Sequence, residues 1–404
     1  MQAVILAAGE SSRFWPINEK HKSLFNILGR PILWYTIFGL LKSGIKDIIV
    51  VQNPTRSIEK ELKNFFPFLK FVIQEKPLGT GDALLKAEKF LKGPFFVLNA
   101  ERIDNFLFLP RMKEEFKKKK TMILLGSLTE RPWDFGVFKL KGNRVLDIIE
   151  KPKKGKEPSR WQTTGLYLFP FDFIFYLKKV PCHPYSLIQA ISLYAKEKKV
   201  FLLKTLKKIF FLKYPWDLFF YRDFIFDHFF KEKISENVFI SKKAKIKGRV
   251  IFGKNVRVLD NVIIKGICYL GDNSFLDQNV ILEGKNNFEE RNFLGRKSKV
   301  FYSLFGKNCK INQSFIFYSI LGEGCQLEEG VFLGEKKSFK KSIFAVIKER
   351  KEKIPFKKFG VVLGNNTLLS NNVFVSNGCF IGSKVTISPF RKVKNNLFDN
   401  SFLF

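Results

Sequence analysis

The residues best suited to chemistry stand in a few short runs. Arg13, Lys20 and Lys22 follow the small-residue stretch Ala7-Ala8-Gly9 and the serines Ser11 and Ser12. Small side chains let backbone N–H groups approach an anion, and Arg and Lys neutralise charge that develops on it. Glu101 and Asp104 follow the apolar run Phe95-Phe96-Val97-Leu98, and Glu150-Lys151 end the run VLDIIE. Carboxylates offer the hard oxygens that Mg²⁺ requires. Gln74, Gly79, Thr80 and Gly81 form a polar, glycine-rich break.

Elements of the right kind flank each run. Ala3–Ala8 reads as a buried strand opening into a polar loop, and a helix pattern resumes after Pro31. Helices are expected over 33–41, 56–66 and 80–91, and strands over 46–51, 70–74 and 95–98, with Thr80 capping the third helix. This alternation implies a mostly parallel sheet with helices on both faces, an arrangement that holds phosphates at its carboxyl edge. Neither GxxxxGK[ST] nor GxGxxG is present.

From Ile234 the pattern changes to a period of six. Ile234, Ile240, Ile246, Phe252, Val258, Ile264, Leu270, Leu276 and Leu282 are apolar, and a second run holds Leu363, Leu369, Val375, Ile381 and Ile387. A fixed short period means a solenoid, and three hexads per turn give a triangular parallel β-helix. Six does not fit a helical stripe. The expected domains are 1–230 and 231–404, joined by a helix over 216–230. Two stretches of the coil, 284–300 and 336–358, are expected to be extruded loops.

Length and composition agree with two domains. The chain has 404 residues, long enough for two cores. Cys268, Cys309, Cys325 and Cys379 occupy small-residue positions of the repeat, so they read as buried fillers, not as a disulfide or zinc framework. The net charge of +34 comes with 48 Phe and with lysines spread along the whole chain. That pattern reads as coding bias and not as a nucleic-acid surface, although it would draw polyanions. No apolar run reaches membrane-spanning length and no signal peptide precedes the first strand, so a cytoplasmic protein without membrane contact is expected.

The stretch Leu6-Ala7-Ala8-Gly9-Glu10-Ser11-Ser12-Arg13-Phe14-Trp15-Pro16, followed by His21-Lys22, resembles the signature loop of the sugar-1-phosphate nucleotidylyltransferases, LAAG-x-G-[ST]-R-x-x-P…P-K. Ser11 replaces that family's second glycine and His21 its proline. Further matches run through Gln74…Leu78-Gly79-Thr80, Phe135-Gly136-Val137, Glu150-Lys151-Pro152 and Thr163-Thr164-Gly165-Leu166-Tyr167, the last standing where the family has N-A-G-[IV]-Y. Over nearly its full length the chain is similar to bifunctional nucleotidylyltransferase/amino-sugar acetyltransferases of archaeal type. The resemblance implies a Rossmann-like α/β domain followed by a left-handed β-helix that frequently trimerises. It implies transfer of a nucleotidyl group from UTP or dTTP to a sugar 1-phosphate with Mg²⁺ as cofactor. By the same resemblance Arg13, Lys22 and Lys151 are catalytic, with Lys20 the substitute for Lys22. Ala8, Gly9, Gln74, Gly79, Thr80, Gly136, Glu150 and Gly165 would bind substrate, and Glu101 would hold the metal, with Asp104 its substitute.

The chain departs from that pattern where it matters for activity. Phe211 stands where the family's second metal-binding aspartate is expected, Gln189 replaces an acidic residue, and Asn312 replaces the histidine of the acetyltransferase site. Asparagine cannot take a proton from an amine as imidazole can. These losses favour a second reading, a nucleotide-sugar-binding assembly subunit, and leave acetyl transfer as a third.

Overall fold

The computed structural model describes residues 1–335, 342–347 and 349–404. They divide into two compact units. The first comprises Met1–Glu10 and Ile32–Phe211, the second Ser11–Pro31 and Leu212–Phe404. The loop 11–31 and the helix after residue 217 therefore group with the second unit, which departs from the expected division at residue 230.

The first unit is built on strands β1 (Gln2–Ala7), β2 (Asp47–Gln52), β3 (Lys70–Ile73), β4 (Phe95–Asn99), β5 (Ile123–Leu128), β6 (Gly136–Lys141), β7 (Arg144–Glu150), β8 (Trp161–Phe169) and β9 (Phe201–Thr205). They form one nine-stranded sheet in the order β3-β2-β1-β4-β8-β5-β9-β7-β6. β3, β2, β1 and β4 are parallel, and β8 runs antiparallel between β4 and β5. β1 and β4 are almost wholly buried, which is why they read as continuous apolar runs and not as alternating ones. The helices are α1 (Ile32–Lys42), α2 (Ser57–Leu62), α3 (Thr80–Lys86), α4 (Leu109–Lys119), α5 (Phe173–Lys178) and α6 (Ser186–Glu197). α3 is shorter than expected, because the chain tightens into a 3₁₀ turn over Glu88–Phe90.

The second unit is a parallel β-helix. Three columns of paired residues run along it, beginning Ile234–Phe252, Ile240–Val258 and Ile246–Ile264. Each column continues through Leu282 and Val300, Leu276 and Leu294, or Leu270 and Phe288. From Phe252, Val258 and Ile264 onwards these residues form one contiguous core, whereas Ile234 and Ile246 on the first rung are exposed. Asparagines at 237, 255, 261, 273, 279, 308, 366, 372 and 400 take positive φ. Asn tolerates the left-handed region better than other side chains, so it serves the tight bends that a short repeat demands.

The stretch 284–300 is a correction to the sequence reading. It is no extruded loop: Ile281–Phe288, Phe293–Leu294 and Lys299–Phe301 are strands of the coil. The period of six in fact persists through Phe288, Leu294 and Val300, and single-residue deletions disturb it only afterwards. Of the second expected loop, residues 336–341 and 348 lie outside the described residues. Within it, Phe344–Ile347 and Arg350–Lys353 pair as an antiparallel hairpin. The coil resumes at Val362–Leu363, which pairs with Ile320–Leu321. α7 (Leu218–Phe229) also belongs to this unit.

Candidate active site

In the first unit, functional candidates gather at strand ends on the carboxyl edge of the sheet. Ala8 is buried just past β1, and Gly9 is exposed with open space where a Cβ would stand. Gly136 and Glu150 are register partners on β6 and β7. A Cβ on Gly136 would lie 2.7 Å from Glu150 Oε2 and 3.2 Å from Thr163 Oγ1, so glycine there lets the carboxylate and the hydroxyl converge. Gly165 takes a left-handed φ of 72 and sits in a β-bulge where the β8–β5 register shifts between Thr163 and Tyr167. A Cβ on it would lie 2.5 Å from Asn99 Nδ2 at the end of β4. Bulges re-aim side chains beside active sites, and here the bulge brings Thr163 and Tyr167 to one place. Burial and the Glu150 charge raise the Tyr167 phenol pKa, while Thr163 and the Gly165 backbone hydrogen-bond to it. The phenol therefore remains a neutral donor at physiological pH.

The glycine-rich break is a second constellation. Gly79 takes φ 109 and caps α3 from the N-cap position without a side-chain bond. Thr80 is the first helical residue and exposed, so the capping role expected of it falls to the Gly79 backbone. A Cβ on Gly79 would meet Pro184 Cα at 2.7 Å and His183 O at 2.9 Å. Gln74 is buried, and its Nε2 donates to Gly79 O at 3.0 Å and Asp82 Oδ2 at 2.7 Å, which ties the loop to the helix start. His183 Nδ1 accepts from Tyr185 N at 3.2 Å, so its Nε2–H donates to Gln189 Oε1 at 2.6 Å. A carboxylate at 189 would accept the same proton, and glutamine keeps the bond without the charge. Lys151 has φ 47, and its Nζ reaches Tyr185 Oη at 3.3 Å over the Tyr185 ring. Sequence reasoning missed His183 and Tyr185. Neither has a local motif, and Tyr185 meets Lys151 from 34 residues away.

The expected metal position holds one carboxylate. Glu101 is 8% exposed, just beyond β4. Asp104, its expected substitute, is corrected: it pairs with the buried guanidinium of Arg102, which also donates to Thr164 O. A buried ion pair of that kind leaves the carboxylate committed. Phe211 packs its ring 5.1 Å from Phe135. Among the described residues no three His, Cys, Asp or Glu side chains gather as a metal-binding set. Mg²⁺ is nevertheless held in many sites by one or two carboxylates together with substrate phosphates and waters, and Glu101 fits that use.

In the second unit, Ser11 adopts φ 55, ψ 22 and accepts from Lys22 N at 3.0 Å. A left-handed residue is what glycine supplies most easily, which explains why serine stands out here. His21 is buried and caps the turn Lys22–Leu24 by accepting from Ser23 N. Lys22 Nζ donates to Leu212 O at 2.7 Å, and Lys20 pairs with Glu323 at 3.4 Å. Arg13 is exposed and hydrogen-bonds Tyr214, whose phenol is pushed up to about 12, chiefly by burial and then by Glu352. Asp217 accepts from Lys213 N and Tyr214 N at 2.8 Å each, so it caps a helix start. Cys268, Cys309, Cys325 and Cys379 are buried thiols of the coil. Asn312 is part-buried, and the three histidines, His21, His183 and His228, all lie outside the coil's strands. Among the described residues no helix is long and apolar enough to cross a membrane.

Residues 2–208 match the family model described as nucleotidyl transferase. The chain is similar along its whole length to the bifunctional protein GlmU of Methanococcus vannielii, at 28% identity over 97% of that protein. With the GlmU of Methanococcus maripaludis it shares 32% identity over 77% of this chain and 74% of that one. A solved structure assigned as a glucose-1-phosphate thymidylyltransferase from Bacillus anthracis superposes with TM-score 0.50 at 21% identity, covering 57% of this chain and 97% of that one.

Proposed function

The chain belongs to the nucleotidyl transferase family, and from that premise we propose that it transfers a nucleotidyl group from UTP or dTTP to a sugar 1-phosphate. A phosphate oxygen of the sugar phosphate attacks the α-phosphorus in line. The P–O bond to the β-phosphate breaks, and pyrophosphate leaves with the electron pair. Phosphate is an adequate nucleophile, so the protein's task is positioning and charge neutralisation.

The observation that carries this reading is the convergence of Glu150 Oε2 and Thr163 Oγ1 beside a strand-end glycine, Gly136, next to Lys151. Hydroxyl-rich sugars are gripped by such acceptors and donors, and an ammonium beside them suits a sugar phosphate. Lys151 would hold the attacking phosphate, Glu150 and Gly165 the sugar, and Gln74, Gly79 and Thr80 the nucleoside. Ala8 and Gly9 would admit the triphosphate to the backbone, with Arg13 and Lys22 neutralising it. Glu101 would hold Mg²⁺ brought with the triphosphate, an ion that screens phosphate charge when bound.

Pyrophosphate release with UTP and dTTP against a panel of sugar 1-phosphates tests the proposal. Turnover with at least one pair is expected, and its absence from every pair overturns it. The packing of Phe211 on Phe135 favours one alternative, a subunit that binds nucleotide-sugar without turnover. Nucleotide-sugar binding without pyrophosphate release is its signature.

A further inference from the structure

The loop 11–31 makes a series of hydrogen bonds to one corner of the coil. Trp15 Nε1 donates to Asp399 Oδ1 at 3.1 Å, Pro16 O accepts from Ser383 Oγ at 3.2 Å, and Glu19 Oε2 accepts from Asn365 Nδ2 at 2.8 Å. Lys20 reaches Glu323. The coil register explains the series. Leu321, Leu363, Ile381 and Leu397 stack in one column, and Glu323, Asn365, Ser383 and Asp399 each stand two residues beyond them. The loop is thus strapped along successive rungs.

Its last fastening uses two buried side chains of the coil. Asn26–Ile27 and Arg30–Pro31 pair as a minimal hairpin, with Leu28 and Gly29 at φ 53 and 71. That is the tight turn in which both central residues are left-handed. Leu28 N donates to Asn287 Oδ1 at 2.9 Å and Gly29 N to Glu289 Oε1 at 3.3 Å, while Asn287 Nδ2 donates to that same Oε1 at 2.8 Å. Asn287 is 0% and Glu289 3% exposed. Tyr269, in register with Asn287, closes the seat: a Cβ on Gly29 would lie 2.5 Å from its Oη.

We propose that Asn287 and Glu289 are positioning residues for nucleotidyl transfer, fixing the end of the loop that carries Arg13 and Lys22. This rests on the function proposed above. The loop has little ladder of its own, so holding its backbone in one arrangement must come from outside it. Cations fixed in advance spare the triphosphate the cost of ordering them on binding. The β-helix then serves the transfer reaction through its corner, independently of any acetyl transfer.

Hydrogen exchange of residues 11–31 and steady-state pyrophosphate release are to be measured on full-length Glu289→Ala, Asn287→Ala and Glu289→Gln. Exchange at the hairpin tip should rise about tenfold in the two alanine variants, the scale of an N–H left without its acceptor. kcat/KM for the NTP should fall about tenfold while KM for the sugar 1-phosphate changes less than about twofold. Glu289→Gln, which keeps an acceptor for Gly29 N–H, should restore both. Unchanged exchange in the alanine variants overturns the proposal, as does raised exchange with unchanged NTP kinetics. A loss shared equally by both substrates and not rescued by glutamine marks a merely structural role and overturns it too. If the wild-type chain turns over no pair, the function proposal fails by itself. Exchange together with NTP affinity from calorimetry then decides the positioning claim: tip exchange raised and affinity weakened support it, and either unchanged overturns it.

Discussion

Lys151 and Glu289 show how much a single side chain can carry. The Lys151 ammonium lies over the Tyr185 ring, held at a backbone φ of 47 that directs it to the exposed strand end. A charge-assisted contact to phosphate contributes about 1.5–3 kcal/mol. Lys151→Ala should therefore raise KM for the sugar 1-phosphate about 10- to 100-fold and leave the melting temperature nearly unchanged, read by kinetics and calorimetry. Glu289 is different, because burial pushes its carboxyl up to about 7 from an ordinary 4.5, against the hydrogen bonds of Asn287 and Gly29 and the charge of Lys307, with Glu290 reinforcing the rise. Tyr269 faces it, its phenol raised by burial and by the Glu289 charge. The folded state keeps a proton that the unfolded chain releases. Stability from this group is therefore greatest below about pH 4.5 and falls as pH rises to about 7, by at most about 3 kcal/mol. Denaturant melts at pH 5 and 8 should show a larger drop for the wild type than for Glu289→Gln.

At the scale of elements, strands and repeats were legible where the pattern is local. β1 and β4 announce themselves as apolar runs, and the hexad period announces the coil. The stretch 284–300 reads as an irregular loop although Phe288, Leu294 and Val300 keep the period, and the structure places its polar residues Asn286 and Asn287 inside. Both asparagines are fully buried and hydrogen-bonded within the coil or to the hairpin tip. Leu294 is 0% exposed and pairs with Leu276 and Ile311. Leu294→Ala should cost about 2–5 kcal/mol in a denaturant melt, as for a core position and not a loop. The α3 cap illustrates the opposite limit. Thr80 looks like a cap by type, but the approach of His183 and Pro184 requires glycine at the N-cap, and nothing near residue 80 records that approach.

For the molecule as a whole, the net charge of +34 is the dominant electrostatic fact. A field of that sign attracts nucleoside triphosphates and is screened within about 8 Å at physiological salt. Raising ionic strength from about 0.05 to 0.5 M should increase KM for the NTP several-fold more than kcat changes, a dependence read directly in the pyrophosphate assay. The sequence by itself determined the two architectures, through periods of six and runs of buried strand, and the short motifs that assign the family. Those signals are local, set by side chains within a few residues of each other. Only the tertiary structure decided where the loop 11–31 is fastened, since its distant partners lie between 190 and 384 residues away. Hydrogen bonds over such separations leave no spacing rule in the chain. They exist because successive coils bring residues distant in sequence onto one corner.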